Sequence, residues 1–337
     1  MSEPAPPVSD EMVSAAQRGD EAAFRELVET YRRELHAHCY RMTASLDDAD
    51  DMVQEVMLRA WRGLPRFEGR SSIRSWLYRI ATNVCLTEIS RRPRRVLPAD
   101  LGAPNGQASG EPVWITPYPD DVLGVEHAAA SPESRYEQRE SIELAFIAAL
   151  QHLPANQRAA LILRDVLGFR AREVADALET TTTAVNSALQ HARKTVQARI
   201  PEQSQQATLR AVGDERLRAI VADYTAALEA GDVDAILSML AEDASWSMPP
   251  RPEWYQGQEA IAEFFKAGPA TVQWRHIPTS ANGQVAVGCY VLDPQTGVYR
   301  GAVIDVLSLR GTQIAAVTAF IDSTLFARFG LPEVVSP

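Results

Sequence analysis

The spacing of apolar residues changes character once along this chain, and that change constrains the fold more than any other feature. Up to about residue 200, apolar residues recur every three or four positions, as on the buried face of an amphipathic helix. After a Gln/Ser-rich joint at 201–207, helical segments at 209–230 and 233–240 precede several stretches of alternating apolar and polar residues. The sequence therefore predicts an all-helical part followed by an α+β domain. The alternating stretches, predicted to be strands, are 284–291, 298–308 and 313–322.

The helical part divides into two groups of helices separated by a long segment without periodicity. Three amphipathic stripes lie between residues 10 and 92, which is typical of a small helical domain. A second helical group is predicted to begin at Ser131-Pro132-Glu133, because a Ser N-cap there precedes Pro in the first turn. Its later helices are predicted at 142–150, 156–166, 172–178 and 183–199. We therefore assign domains to 10–95, 132–200 and 208–332, and a linker to 96–131.

The predicted linker contains an unusual cluster of aromatic, aliphatic and proline residues. A flexible tether is normally rich in small and polar residues, and most of this segment is. We expect the cluster to dock on the surface of a domain, and a partly collapsed linker is the alternative. Its members are Pro112, Val113, Trp114, Ile115, Pro117, Tyr118 and Pro119.

Length and charge narrow the functional class. A chain of 337 residues is long enough for two or three domains. The net charge of −11 comes largely from residues 201–337, where 16 acidic residues face 9 basic ones, so it does not exclude DNA binding by the helical part. The sequence shows neither a signal peptide nor an apolar run that could span a membrane, and its three cysteines are far apart. We expect a cytoplasmic protein without membrane association, cofactor or metal; His36-Ala37-His38-Cys39 is interpreted as part of an ordinary helix.

The clearest local motif is the segment AREVADALETTTTAVNSALQ at 171–190. Ala175 and Val185 stand ten positions apart across a turn, where a helix-turn-helix needs a small and a branched apolar residue. The turn carries Glu179 where such motifs often have glycine, and a generic helical hairpin is the alternative interpretation. We predict that the second helix directs these residues inward: Ala184, Val185, Ala188, Leu189, Ala192 and Val196. Its outward face then carries Thr182, Thr183, Asn186, Ser187, Gln190, His191 and Lys194, which suit base edges and phosphates.

Two further segments carry chemistry in the first helical group. The stretch DDADDMVQEVMLRAW at 47–61 crowds acids into the first turns of an amphipathic helix. They either solubilise the helix or form a surface for a basic helical partner. The stretch at 67–95 joins a glycine-containing loop to a helix with aromatics and spaced arginines, a combination that can hold unstacked bases. Trp76 lies on the apolar stripe and is expected in the core, whereas Arg74 and Tyr78 fall off it.

These three segments, in this order, resemble the extracytoplasmic-function class of sigma-70-type factors of RNA polymerase. The resemblance covers about 10–92 and 133–200, and it implies two all-α sigma domains that bind core polymerase and promoter DNA. Polymerase contacts would involve the β′ clamp helices and the β flap, and the implied β′-binding residues are Asp47, Asp48, Asp51, Gln54, Glu55 and Leu58. The implied contacts to the promoter −10 element are Phe67, Gly69, Arg70, Ser71, Arg74, Tyr78 and Asn83. The outward face of the second helix-turn-helix helix, from Thr182 to Lys194, would read the −35 element.

The C-terminal domain resembles the SnoaL-like group of cone-shaped, ketosteroid-isomerase-type α+β folds. The likeness rests on its element order, on WYQGQEAIAEFF and on the closing segment at 324–332. It implies a cavity, for which Trp246, Trp254, Tyr255 and His276 are the candidate residues, with Asp243, Asp305 and Asp322 as candidate carboxylates. No acid–base pair emerges from the spacing, so we expect no catalysis. The resemblance implies instead control of the sigma domains in cis, with a small-molecule ligand and a separate anti-sigma factor as further candidate partners.

Two other functions are compatible with parts of this pattern. One is a helix-turn-helix regulator with a ligand-sensing domain that does not join polymerase. The other is a SnoaL-type enzyme whose helical half is accessory. The acidic segment at 47–55 and the arginine-rich segment at 67–95 favour a sigma factor, because a plain regulator needs neither.

Overall fold

The computed structural model describes residues 9–104, 112–123 and 138–336, which form two compact units. The first unit comprises described residues within 1–95 and 122–201, and the second those within 96–121 and 202–337. The helix start predicted at Ser131-Pro132-Glu133 lies outside the described residues. Within the described part, no helix combines the length and apolarity needed to cross a membrane.

Between residues 9 and 95, the described part of the first half of the first unit, four helices begin where the sequence places their N-caps. Helix α1 spans Asp10–Gln17, α2 Glu21–Thr43, α3 Leu46–Gly63 and α4 Ile73–Ile89, with a 3₁₀ turn at Leu64–Arg66. At each start a short polar side chain accepts a backbone N–H of the first turn, and these N-caps are Ser9, Asp20, Ser45 and Ser72. The three stripes predicted between 10 and 92 thus pack as a helical bundle.

A short helix, α5, spans Asp120–Leu123. The second half of the first unit contains α6 at Leu144–Gln151, α7 at Ala155–Leu161, a π-helical turn at Ile162–Val166, α8 at Ala171–Ala177 and α9 at Thr182–Gln197. Helices α8 and α9 form the predicted helix-turn-helix. Glu179 adopts φ of +51° in the turn, so a non-glycine residue occupies the left-handed conformation there.

A buried arginine ties the two halves of the first unit together. The Arg158 guanidinium donates to the side-chain oxygen of Gln151, to the carbonyl of Leu153 and to the carbonyl of Met42 on α2. Burial lowers its pKa to about 10, so it stays charged at neutral pH. Removing one of these partners would leave a buried charge under-satisfied, and such changes are strongly destabilising.

The second unit opens with helices and continues as a sheet. Helix α10 spans Gln205–Val212, α11 Asp214–Ala230 and α12 Val233–Met239. The single helix predicted over 209–230 is therefore wrong at one point. Gly213 adopts φ of +80°, a conformation that interrupts a helix and that glycine reaches without steric cost.

Strands β1, Arg95–Val96, and β2, Val113–Trp114, form a separate two-stranded sheet. The remaining elements are β3 Leu240–Ser247, β4 Trp254–Gln256, α13 Gln258–Ala267, a 3₁₀ turn Pro269–Thr271, β5 Trp274–Ala281, β6 Gln284–Asp293, β7 Val298–Arg310, β8 Gln313–Ile321, α14 Leu325–Arg328 and β9 Val334–Val335. The main sheet has the strand order β4-β3-β8-β7-β6-β5, with β9 pairing with β7. Only β3 and β8 run parallel. The register shifts after Cys289 in β6 and after Ser308 in β7, and such bulges bend a sheet. Helices α11 and α13 contribute Tyr224, Ile261 and Phe265 to the core against it.

The order of helices and strands agrees with the predicted α+β class, and the three predicted strands are present as β6, β7 and β8. The segment WYQ, which the sequence groups with the following helix, forms β4 instead. This strand pairs antiparallel with β3, with Trp254 opposite Ser247, Tyr255 opposite Trp246 and Gln256 opposite Ser245.

Candidate functional sites

Helix α9 presents one exposed polar face and one buried apolar face. Thr181 caps the helix by accepting the N–H of Ala184, and Val185, Leu189, Ala192 and Val196 are buried beneath it. Ala184 is exposed, contrary to the prediction, because it lies in the first turn before the helix reaches its neighbours. All seven residues of the predicted reading face are exposed: Thr182, Thr183, Asn186, Ser187, Gln190, His191 and Lys194.

A second exposed stripe runs along α3. Asp47, Asp51, Gln54 and Leu58 are separated by four, three and four positions, so they share one side of the helix, and all four are exposed. Leu58 is 51 % exposed, which is unusual for a large apolar side chain. Glu55 lies beside the stripe, half-buried, and pairs with Arg59 at 2.6 Å. An exposed leucine among carboxylates suits a protein partner better than mere solvation does.

Asp48 does not belong to this stripe, although the resemblance assigned it to polymerase binding. Its side chain is buried and accepts hydrogen bonds from the guanidinium groups of Arg92 and Arg95. The position lies one residue after Asp47 and therefore about 100° around the helix, toward the interior. We assign Asp48 to anchoring the end of the arginine-rich segment rather than to a partner surface.

The loop before α4 is open to solvent. Gly69 has φ of +68°, and Gly69, Arg70 and Ser71 are exposed. Phe67 is half-buried, with its ring 5.3 Å from that of Trp76. Asn83, further along α4, is half-buried. The loop thus offers a polar rim, in which Arg70 pairs with Glu68 at 2.9 Å, next to the aromatic rings of Phe67 and Trp76.

Tyr78 and Arg74 lie at a buried junction rather than on an open surface. Tyr78 is only 1 % exposed, and its hydroxyl donates to the Glu34 carboxylate at 3.1 Å. Arg74 donates to the same carboxylate at 3.1 Å, and its guanidinium lies 5.0 Å from the ring centroids of both Tyr78 and Phe169. Burial raises the pKa of Tyr78 far above its usual range, with Glu34 adding to the effect. A DNA base cannot reach the Tyr78 ring in this arrangement.

The ring that covers Tyr78 belongs to the second half of the same unit. Phe169 precedes α8 and packs edge-on to Tyr78 with centroids 5.2 Å apart. Along the same line, Ser75 donates to Glu173 of α8 at 2.8 Å, and Arg79 lies 3.3 Å from Glu179. The carboxylates of Glu173 and Glu179 thus occupy the hydrogen-bond donors of α4 that could otherwise bind DNA phosphates. The α4 face assigned to the −10 element is therefore covered by the helix-turn-helix.

A polar cleft of about 430 Å³ remains at this junction. Arg70 and Ser71 line one side, and Glu173, Asp176 and Glu179 line the other. The Glu173 carboxylate also accepts the N–H of Arg170, which with Ser75 lowers its pKa. Glu173 is thus ionised at neutral pH and caps α8 while it contacts α4.

The aromatic–proline cluster docks on the second unit, as predicted. Ile115 and Tyr118 are buried, with Tyr118 at 0 % exposure. The Tyr118 N–H donates to the Asn282 side-chain oxygen at 2.9 Å, and the Asn282 N–H donates back to the Tyr118 carbonyl at 2.8 Å. Gly283 donates its N–H to Asp120 at 2.7 Å. We call this set of contacts the linker clamp: residues 115–120 held at the β5–β6 turn, 282–283.

Nearer its start, the linker makes a small sheet and a second contact with the same unit. Strands β1, Arg95–Val96, and β2, Val113–Trp114, pair, and the Ile115 N–H donates to the Val96 carbonyl at 3.1 Å. The Trp254 indole N–H donates to the Gly102 carbonyl at 3.2 Å. Trp254, predicted for the cavity, is absent from its lining and supports the linker instead.

The second unit contains a half-open cavity of about 430 Å³. Trp246 and His276 line it, as expected from the sequence, whereas Tyr255 lies behind the wall and stacks on the lining residue Phe264 at 4.7 Å. Most of the lining is apolar or aromatic: Leu228, Trp246, Met248, Phe264, Phe265, Val272, Trp274, Ala302, Val303, Ala319 and Ile321. Such a lining with few polar groups is typical of small-molecule sites.

The main buried polar groups of the cavity come from neighbouring strands. Asp305 accepts a hydrogen bond from the Tyr224 hydroxyl at 2.8 Å. Burial raises the pKa of Asp305 to about 6, although the hydrogen bonds from Tyr224 and Cys289 act to lower it. His276 is opposite Cys289 in the sheet, and burial lowers its pKa to about 4 although Glu229 lies 3.5 Å away. The other two candidate carboxylates lie elsewhere: Asp243 pairs with Arg310, and Asp322 caps the turn at Thr324.

The histidines of the His36-Ala37-His38-Cys39 segment have separate structural partners. His36 lies 3.0 Å from Asp50, and His38 lies 3.0 Å from the Thr82 hydroxyl. Burial, with Arg41 and Arg74 nearby, lowers the pKa of His38 to about 3. The imidazole is neutral at physiological pH and acts as a packing element.

Sequence reasoning missed the partners that define these sites. Glu34, Phe169 and Glu173 cover α4, and Asn282 forms the clamp. The only local signal was Asn282-Gly283, a dipeptide typical of a hairpin turn. The dipeptide indicates a turn, but it does not show that the turn holds the linker.

Comparisons with known proteins place both units in known families. Residues 27–95 match the model of Sigma-70 region 2, residues 143–196 that of Sigma-70, region 4, and residues 221–317 that of the SnoaL-like domain. The ECF RNA polymerase sigma factor SigG of Mycobacterium tuberculosis is 45% identical over 326 residues, covering 94% of this chain and 85% of that protein. The ECF RNA polymerase sigma-E factor of Escherichia coli is 28% identical over 189 residues, or 56% of this chain and 92% of that protein.

Among solved structures, the crystal structure of the Mycobacterium tuberculosis extracytoplasmic function sigma factor SigJ has a similar fold. The TM-score is 0.57 at 22% identity, covering 91% of this chain and 98% of that one.

Proposed function

The chain belongs to the ECF sigma factors of RNA polymerase, and we propose that its C-terminal SnoaL-like domain controls it in cis by holding the linker between the two sigma regions. As a sigma factor, the protein directs promoter-specific transcription initiation together with core RNA polymerase. The observation that supports control in cis is the linker clamp, in which Tyr118 is buried and Asn282 bonds to its backbone in both directions. A conformational change in the C-terminal domain can then alter how the linker is held.

We assign reading of the −35 element to the exposed face of α9. Asn186 and Gln190 can form paired hydrogen bonds with a base edge, while Lys194 suits a phosphate. Arg193 is not included, because two of its guanidinium nitrogens, Nε and Nη2, donate to Asp165 at 2.8 and 2.7 Å. The helix-turn-helix that contains α9 is also the candidate for contact with the β flap of polymerase.

We assign the −10 element to the loop 67–71 together with Arg74, Tyr78 and Asn83 on α4. The loop is available in the present arrangement, but Tyr78 is covered by Phe169. Engagement of the −10 element therefore requires α4 and α8 to separate. The covered state is a resting form, and promoter melting requires an opened form whose extruded base stacks where Phe169 now lies.

We assign contact with the β′ clamp helices to the stripe Asp47, Asp51, Gln54 and Leu58 on α3. The acids suit a basic helical partner, and the 51 % exposed Leu58 would be covered in such a complex. Glu55 flanks the stripe. A small-molecule ligand is assigned to the cavity of the C-terminal domain, where it would act on the same body that holds the linker.

The assignment is tested by transcription reconstituted from core polymerase and the full-length protein. A map of transcription start sites after overexpression supplies the promoter. The full chain should bind core enzyme and yield run-off transcript from that promoter, and removal of 208–337 should change the yield without abolishing core binding. Failure to bind core would contradict the polymerase assignment, and an unchanged yield would contradict control in cis.

A further inference from the structure

The cavity of the C-terminal domain combines aromatic walls with one buried carboxylate. Trp246, Phe264 and Trp274 line it, and Trp246 packs edge-on to Phe265 with centroids 4.9 Å apart. Asp305 belongs to the same lining and is almost fully buried. At about 430 Å³, the space accommodates a compact organic molecule.

The carboxylate of Asp305 lacks a cationic partner among the described residues. Its neighbours are the Tyr224 hydroxyl, 2.8 Å away, and the Cys289 thiol. An ionised carboxylate has about four acceptor sites, so these two donors leave capacity for another. A buried charge is normally paired, and an unpaired one in a cavity is a site where a ligand cation gains most.

The remaining polar groups of the lining do not favour an anion. His276 is buried and neutral at physiological pH, and the Glu229 carboxylate lies 3.5 Å from its Nδ1. Among the described residues of the lining, Arg251 is the one cationic side chain, and it is exposed, where water screens its charge. A ligand anion would therefore meet the Asp305 carboxylate without a buried cation to balance it.

We propose that this cavity binds a compact apolar amine whose ammonium group donates to Asp305 and lies against the aromatic walls. The ammonium gains a charge-assisted hydrogen bond and cation–π attraction, and the apolar body is removed from water. An alcohol with the same skeleton would keep the hydrogen bond but lose the charge. The inference rests on the proposed ligand function of the cavity and adds the chemical class.

The test uses four probes that share one skeleton and differ in the head group. Calorimetric titration of the full-length protein at neutral pH would compare 2-naphthylmethylamine, 2-naphthylmethanol, 2-methylnaphthalene and 2-naphthoate. We expect the amine to bind about tenfold more tightly than the alcohol, since hydrogen bonds to charged groups are the stronger ones. 2-Methylnaphthalene, which has no polar head group, should bind more weakly than the alcohol, and 2-naphthoate should bind most weakly of the four.

Two variants and a matched control locate the effect. Asp305→Asn keeps the size and the acceptor for Tyr224 but removes the charge, so the amine should lose its advantage while 2-methylnaphthalene binds as before. The matched control Asp243→Asn makes the same change at an exposed carboxylate outside the cavity and should alter nothing. Ala302→Leu, in the lining, should weaken all probes by filling space; thermal unfolding of each variant checks its fold.

The outcomes separate the two levels of the proposal. Equal binding of amine and headless probe, or preference for 2-naphthoate, would overturn the amine assignment and leave a small-molecule cavity. Absence of binding by every probe would overturn the ligand assignment as well. Neither result bears on the linker clamp, which is tested by transcription.

Discussion

The two units each hold a part of the sigma factor in place, but with different chemistry. In the first unit, α4 is held by the buried Tyr78–Phe169 contact and by exposed or half-exposed polar pairs such as Ser75–Glu173 and Arg79–Glu179. In the second, the linker is held by a fully buried Tyr118 and by backbone hydrogen bonds. Exposed ion pairs contribute little and are weakened by salt, whereas buried aromatics contribute several kcal/mol. The polar pairs of the first contact should therefore separate more readily than the linker clamp.

The largest effect is expected at the linker clamp. Tyr118→Ala removes a fully buried aromatic ring, and such truncations cost about 3–5 kcal/mol of unfolding free energy. The linker should then become a preferred site for limited proteolysis, and the thermal unfolding temperature should fall. Trp114→Ala, at a half-buried position of the same cluster, should cost clearly less. Equal proteolysis of wild type and Tyr118→Ala would remove the contrast between the two contacts.

Acid should affect the two units differently. The folded-state pKa of His38, about 3, lies below its unfolded value of about 6.5, so the neutral form is favoured by folding. Stability from this group is present above about pH 6.5 and is lost as pH falls toward 3, by about 4 kcal/mol at most.

In the second unit, Asp305 changes the free energy of unfolding in the opposite direction as the pH falls. Its folded pKa of about 6 lies above the unfolded value of about 3.9, so its contribution rises as pH falls from about 6 to 4 and offsets the loss from His276. The free energy of unfolding in urea, measured between pH 7.5 and 4.5, should therefore depend less on pH in His38→Gln than in wild type. In Asp305→Asn it should fall more steeply toward acid than in wild type. Changes of the reverse sign would contradict the burial of these groups.

The exposed face of α9 should be sensitive to substitution without any opening. Asn186→Ala and Gln190→Ala should each weaken −35 discrimination by about 1–3 kcal/mol, measured by competition between the cognate sequence and point-mutated promoters. Binding to core polymerase should be unchanged. Loss of both functions would indicate misfolding rather than loss of base contacts.

The smallest effect is expected at the α4–α8 contact. Glu173→Gln keeps the cap on α8 but weakens the bond to Ser75, and Glu179→Gln weakens the pair with Arg79. Together they should favour the opened form by about 1 kcal/mol, a rise of about fivefold in affinity for single-stranded −10 DNA. Asp176→Asn removes the same charge from the same cleft but makes no such contact with α4. An equal gain in that control would mean that net charge, not opening, is responsible.

Features that depend on local pattern were predictable from the sequence. The exposed face of α9 and the stripe on α3 follow from helical spacing, and β6 to β8 follow from alternation. The errors involve residues whose partners are distant in sequence. Tyr78 is covered by Phe169, Asp48 is paired with Arg92 and Arg95, and Trp254 bonds to Gly102. No local period encodes such pairs, because they arise only when the elements pack.

The central claim, that the C-terminal domain controls the sigma factor through the linker, is tested most directly at Asn282. Asn282→Gly removes the side-chain acceptor for Tyr118 and tolerates the φ of +55° found there. Thr312→Ala, in the exposed β7–β8 turn, is the matched control. Run-off transcription with core polymerase at saturating sigma should change several-fold in Asn282→Gly and remain at the wild-type level in Thr312→Ala. Identical transcript yields from all three proteins, with Asn282→Gly showing increased proteolysis of the linker, would contradict the claim.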